Sequence, residues 1–185
     1  MKAVITVIPA AIVLALVFSL PAQAQEGEAV TITMTGAYEI AISLDITQWP
    51  LGEVAPDMEY MTNPQIEWCT LTVTGNSAVN TFIVGEDAKW VDNPGAYEWT
   101  LSDDGHNGEH VYGLWFRISG DSTRGPYGDG YVPITKTQSE FWPYGSGSSL
   151  APGASKQFGL RLLTPSYFIG GREMQTPVTI IAVAP

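Results

Sequence analysis

Cysteine is almost absent. Cys69 is the single one in 185 residues, so no intrachain disulfide can form. Cys69 shares parity with Leu71 and Val73, which reads as a small buried hydrophobe; an intermolecular disulfide is the sharper alternative. Basic residues are scarce as well: eight Lys and Arg stand against nineteen Asp and Glu, for a formal net charge of −11. That balance argues against nucleic acid and against anionic lipid surfaces as partners. It suits a soluble surface, cation binding or a halotolerant setting. No Asn-x-Ser/Thr acceptor occurs, which removes that glycosylation signal. No Gly-x-Ser-x-Gly elbow occurs either, and 145–149 lacks the strand-to-helix setting such an elbow needs. Cys69 sits beside Trp68 inside a strand-like run, not at a helix start that would activate a thiol. No spacing singles out a pair of carboxylates for glycoside hydrolysis. The sequence therefore offers no catalytic residues.

Helical periodicity is missing beyond the first two dozen residues, and what is present is alternation. Val30, Ile32 and Met34 are followed on the same parity by Gly36, Tyr38, Ile40, Ile42, Leu44 and Ile46. The other parity carries Thr31, Thr33, Thr35, Glu39, Ser43 and Asp45, with Ala37 and Ala41 between them. A period of two means extended backbone with one wet and one dry face. Fully extended, 30–46 would span roughly 55 Å at about 3.3 Å per residue. Ordinary strands are about 5–6 residues long. Either Gly36 bends the stripe into two strands of one fold, or its first third reaches another molecule.

Shorter alternating runs follow at 66–74, 79–84, 97–101, 111–118, 131–135, 148–150, 156–163 and 178–183. They are divided by Gly, Pro, Asn and Asp. The implied fold is all-β: an antiparallel β-sandwich of Ig-like or jelly-roll topology, with a closed barrel as the competing architecture. The last run is apolar on both faces, since Ile181 and Val183 oppose Val178, Ile180 and Ala182. A strand of that kind is normally covered on both sides. Either a loop of the same chain or a neighbouring subunit would cover it.

The first 24 residues read as a signal peptide. Lys2 precedes an apolar stretch over 4–20, and Ala22-Gln23-Ala24 is a small-x-small cleavage site. Uncleaved, the segment would be long enough to span a membrane. Cleavage leaves about 160 residues, enough for one domain with a sizeable core. The expected division is a signal peptide at 1–24, an N-terminal extension at 25–36 and a β-sandwich at 37–185. Surface loops are expected at 120–130 and 145–153.

Two groups of residues could carry chemistry. Asp103, Asp104, Asn107 and Glu109 fall in one loop with His106 and His110, and oxygen donors on a flexible loop suit calcium. The spacing does not match an EF-hand, and His106 and His110 would align only on a helix. The plain alternative is a solvated turn whose Asp and Asn cap their own backbone. Trp68 and Trp115 have the parity opposite to the core residues of their runs. Exposed, they would stack on a sugar ring or anchor a subunit interface; buried, they are packing between layers.

Several stretches together resemble a family of exported surface proteins. They are Trp49-Pro50-Leu51-Gly52-Glu53-Val54, the run 71–77, Trp90, and Trp99-Thr100-Leu101. The tail adds Ser149-Leu150-Ala151-Pro152-Gly153, Phe158-Gly159-Leu160-Arg161-Leu162 and Val178-Thr179-Ile180-Ile181-Ala182. The mature chain resembles exported prokaryotic Ig-like or jelly-roll surface β-sandwiches. It is more distantly similar to WxL-type domains and to TasA-like fibre subunits. A second Trp-x-Leu is replaced by Ile180-Ile181-Ala182, and no sortase motif is visible. The resemblance implies a non-enzymatic extracellular role and, in fibre-forming relatives, a strand passed between subunits. The expected function is a self-assembling subunit of a filament or surface layer whose partners are copies of itself. Val30, Ile32 and Met34 would be the donor strand, and Trp68, Trp115, Ile181 and Val183 possible interface residues. The alternative is a secreted carbohydrate- or calcium-binding module, with calcium as the one cofactor to consider.

Overall fold

The computed structural model describes residues 36–120, 129–142 and 149–185. The expected signal peptide, the donor candidates Val30, Ile32 and Met34, most of the expected loop 120–130 and part of that at 145–153 lie outside the described residues. Within them there is no helix, and twelve strands form. In chain order these are β1 Ile42–Leu44, β2 Glu59–Met61, β3 Cys69–Val73, β4 Asn80–Gly85, β5 Ala88–Trp90 and β6 Glu98–Leu101. They continue with β7 Val111–Ile118, β8 Val132–Pro133, β9 Ser139–Glu140, β10 Ser155–Leu163, β11 Met174–Gln175 and β12 Val178–Val183.

The longer strands form where alternation is sustained. In β3 the side chains of Cys69, Leu71 and Val73 are buried, while Thr70 and Thr72 are half-buried on the other face. In β7 the residues Tyr112, Leu114, Phe116 and Ile118 enter the core. A large sheet runs β1-β3-β10-β7-β6-β5-β11, with β2 also paired to β10 and β8 to β7. It is curled into a half-barrel. A small sheet runs β12-β4-β9. One core joins them: Val79 and Ile83 pack in the same cluster as Leu71, Val73, Phe116 and Phe158. Phe141 stacks between, its ring centroid 5.1 Å from Phe116 and 5.0 Å from Phe158. Tyr112 is fully buried, and its hydroxyl is paired with the Glu86 carbonyl and, at 2.7 Å, with Thr176 Oγ1. Burial pushes that phenol's pKa up.

The expectation of an all-β chain holds for the described residues, and one strand pairing departs from the antiparallel rule, as does the single bridge between Glu109 and Tyr167. β6 and β7 are parallel, with Thr100 opposite Val111 and Leu101 opposite Tyr112. Parallel neighbours ordinarily need a crossover of a dozen or so residues. Here 102–110 doubles back and reverses in a tight turn in which Gly108 and Val111 exchange both backbone hydrogen bonds. His110 takes a left-handed conformation there, φ 58°.

Four expected strands fall well short of their runs, and 131–135 keeps only Val132–Pro133. Over 38–46 only Ile42–Leu44 is a strand. Upstream, the Glu39 N–H donates to Asn76 Oδ1, and Asn76 Nδ2 donates to the Ala37 carbonyl, in place of a strand partner. The run 66–74 begins at Cys69, because Asn63 accepts from Gln65 N, Ile66 N and Glu67 N and holds a turn. Leu150 contributes a single bridge to Val79. Four strands of two or three residues, β2, β5, β9 and β11, carry too little alternation to be read in advance.

Candidate functional site

The outer face of the large sheet is where the sequence places exposed tryptophans. Trp115 does lie opposite the core face of β7, yet it is only 4% exposed. Its register partner Arg161 stacks over the indole at 4.4 Å and over the Tyr131 ring at 4.4 Å. A guanidinium between two rings is attracted by both faces. Arg161 Nη1 is ion-paired with Asp129 Oδ2 at 2.9 Å, and Nε lies 3.9 Å from Glu59 Oε2. Burial raises the Tyr131 hydroxyl's pKa, and Arg117 and Arg161 work against it.

A backbone cover completes the closure. A Cβ on Gly105 would lie 2.5 Å from Trp115 Cζ2, and one on Gly113 would lie 2.1 Å from the Gly105 carbonyl oxygen. Only glycine lets the loop lie against the indole and the strand lie under the loop. Trp68 is half-buried and packs by the same device, since a Cβ on Gly159 would meet Trp68 Nε1 at 2.4 Å. Its Nε1 donates to the Thr62 carbonyl at 3.3 Å. The expectation of Trp115 as an exposed stacking surface is therefore corrected. The parity is right, but this chain's own loop and Arg161 occupy the place a sugar ring or a partner would take.

The acidic loop is the lid itself. Asp104 accepts from Ser102 Oγ at 2.7 Å and from the His106 N–H at 3.0 Å. These bonds, the Ser102 hydroxyl first, hold the Asp104 pKa down at about 2. Asn107 Nδ2 donates to Asp57 Oδ1 and to the Thr164 carbonyl, each at 2.8 Å, which pins the loop across the sheet. The two histidines have different partners. His106 Nδ1 lies 3.3 Å from Asp104, and His110 Nδ1 is 2.8 Å from the Tyr97 hydroxyl. Asp103 and Glu109 are exposed. Among the described residues no three His, Cys, Asp or Glu side chains are grouped to hold a metal ion.

Cys69 is buried, and its thiol donates to the Ile46 carbonyl at 3.1 Å. Burial pushes the thiol pKa up to about 11, so it is no nucleophile at neutral pH.

The small sheet contrasts with this closure. The odd residues of β4 direct their backbone groups toward β9: Thr81 O accepts from Phe141 N, Gly85 N donates to Thr135 O, and Val79 exchanges both bonds with Leu150. Asn80, Phe82 and Val84 therefore bond to their partners Val183, Ile181 and Thr179 in β12. It follows that Val178, Ile180 and Ala182 turn their N–H and C=O groups to the outer edge of β12. Their side chains share the core face with Gly85, Ile83 and Thr81. Ile83 and Thr81 are fully buried, whereas Val178, Ile180 and Ala182 are only half-buried. On the other face Ile181 sits half-buried opposite Phe82, and Val183 half-buried opposite Asn80.

Sequence reasoning missed Arg161, Tyr131, Asp129 and the two glycines that make the cover. Gly113 and Gly159 inside strand-like runs were the available signal, because a strand glycine marks a close approach. It also missed a second aromatic cluster. There Arg172 lies 4.4 Å from the Tyr97 ring and 5.0 Å from Trp90, and His110 packs edge-on against Tyr97 and Tyr167.

No protein-family model matches the chain, and no curated protein matches it.

Proposed function

We propose that this protein is an exported, non-enzymatic structural subunit that assembles with copies of itself into a filament or surface layer. Its body is a two-sheet β-sandwich of Ig-like or jelly-roll type, a reading supported by the core that β4 shares with β3, β7 and β10. Residues 25–35 form the donor segment, and Val30, Ile32 and Met34 fill a groove of the next subunit by strand addition.

The observation that carries this reading is the fate of the alternating stripe. Ile42, Leu44 and Ile46 are half-buried and pack on the core. Further upstream the same apolar parity turns to solvent: Ile40 is 38% exposed and Tyr38 63%. An apolar face that parts from its own core invites a second surface. Burying Val30, Ile32 and Met34 elsewhere would contribute on the order of 5–7 kcal/mol before ordering costs. A head-to-tail contact propagates into a filament wherever its rotation does not close a ring.

The test is deletion of residues 25–35 from the exported chain. Electron microscopy and sedimentation should show polymers for the parent and monomers for the deletion, with unchanged β-type circular dichroism. Polymers from the deleted chain would end the proposal. Calcium titration and glycan-array binding, both expected to be flat, test the binding-module alternative.

A further inference from the structure

We infer that the acceptor for the donor segment is the open edge of β12, so that residues 30–35 of a second copy add to the small sheet beside Val178–Val183. The inference rests on the donor-strand reading above and says where that strand goes.

Six strands have a neighbour on one side only among the described residues: β1, β2, β8, β9, β11 and β12. Five of them are two or three residues long. They are also blunted in ways that oppose pairing. Glu59 lies in β2 and Glu140 in β9; Asp45 follows β1 and Glu173 precedes β11; Pro133 ends β8. β12 has six residues, no charge and no proline. Its edge presents the backbone groups of three residues in a row at alternate positions.

The occupant is argued from fit. Residues 30–35 read Val-Thr-Ile-Thr-Met-Thr: also six, also uncharged, and apolar on one parity only. The core beside β12 is open on that side, because Ile83 in β4 is fully covered while its partner Ile180 is not. A strand laid along β12 would set Val30, Ile32 and Met34 beside Val178, Ile180 and Ala182, and so extend the core by one strand. Thr31, Thr33 and Thr35 would then lie on the face of Thr179, Ile181 and Val183. A segment with the opposite polarity of faces would leave that rim wet.

The experiment uses the exported chain and two single variants. Ala182→Pro removes an edge-facing N–H that β4 does not use, which an edge strand tolerates but an added strand does not. Ile32→Lys breaks the donor and leaves the edge intact. Each variant alone should stay monomeric. Mixed in equal amounts they should form dimers and stop, since one intact donor meets one intact edge. Polymers from Ala182→Pro but not from Ile32→Lys would overturn the β12 assignment and leave the donor reading standing. Polymers from both would overturn the donor reading itself. A second measurement does not depend on how the proline variant folds. Thr33→Cys on one chain and Thr179→Cys on another should give a disulfide-linked dimer, with buried Cys69 not competing. Linkage to Ser43→Cys on β1 instead, or linkage within one chain carrying both Thr33→Cys and Thr179→Cys, would overturn the inference.

Discussion

β7 and β12 pose the same problem and are treated in opposite ways. Both strands are apolar on the core face and carry bulky apolar side chains on the other, Trp115 in β7 and Ile181 and Val183 in β12. For β7 the second face is closed by the chain itself: Arg161 lies over Trp115, Gly105 lies against its indole, and Asn107 ties the loop to Thr164. For β12 no such device is present among the described residues. Ile181 and Val183 stay half-buried, and the edge beside Val178, Ile180 and Ala182 has no partner strand among the described residues. The comparison teaches that an apolar outer face is not by itself a sign of assembly. What distinguishes the two is whether glycines and a cation have been placed to seal the face from within.

The sharpest way to break this contrast is Trp115→Ala. Loss of a sealed indole should cost about 3–5 kcal/mol, read from urea denaturation. Ile181→Ala on the unsealed face should cost about 1 kcal/mol or less. Equal losses would mean that β12 is closed after all. Gly113→Ala comes next. Its methyl group would meet the backbone carbonyl of Gly105, which cannot move aside like a flexible side chain, so the loop must lift at a cost of about 1–3 kcal/mol. Indole fluorescence should shift to longer wavelength as Trp115 meets water. Asn107→Ala removes two bonds that pin the lid and should cost about 1–2 kcal/mol, with faster amide exchange in the loop.

The smallest effect is electrostatic. Asp104 titrates near 2 in the folded chain, below its ordinary value of 3.8. A depressed carboxyl contributes stability that is present above the ordinary value and is lost as pH falls from 3.8 toward 2. Ser102→Ala removes the largest cause, so NMR titration should find Asp104 moved upward and the acid loosening of the lid shifted to higher pH. An unmoved titration would mean that the His106 N–H alone holds the carboxylate.

Alternation made the strands of the core legible. The residues that enter the core from β3, β7 and β12 fall on the parity read from the chain, and Trp115 is on the opposite face, as its position in β7 requires. The outer apolar face of the last strand was legible in the same way. The loop 103–110 was legible only as a cluster of ligand-capable side chains, because Asp, Asn and His have the same composition in a lid as in a metal loop. What separates the two is Asn107 reaching Thr164, 57 residues away in sequence.

The sequence by itself determined which side chains share a face, because in extended backbone successive side chains point to opposite sides whatever lies beyond them. It also marked the Gly, Pro, Asn and Asp clusters that divide the runs. Only the tertiary structure decided which faces are covered, which of the six edges among the described residues is long and uncharged, that β6 and β7 run parallel, and where the opening stripe parts from the core. Those outcomes depend on contacts between segments tens of residues apart, and no local period encodes which distant segment will arrive.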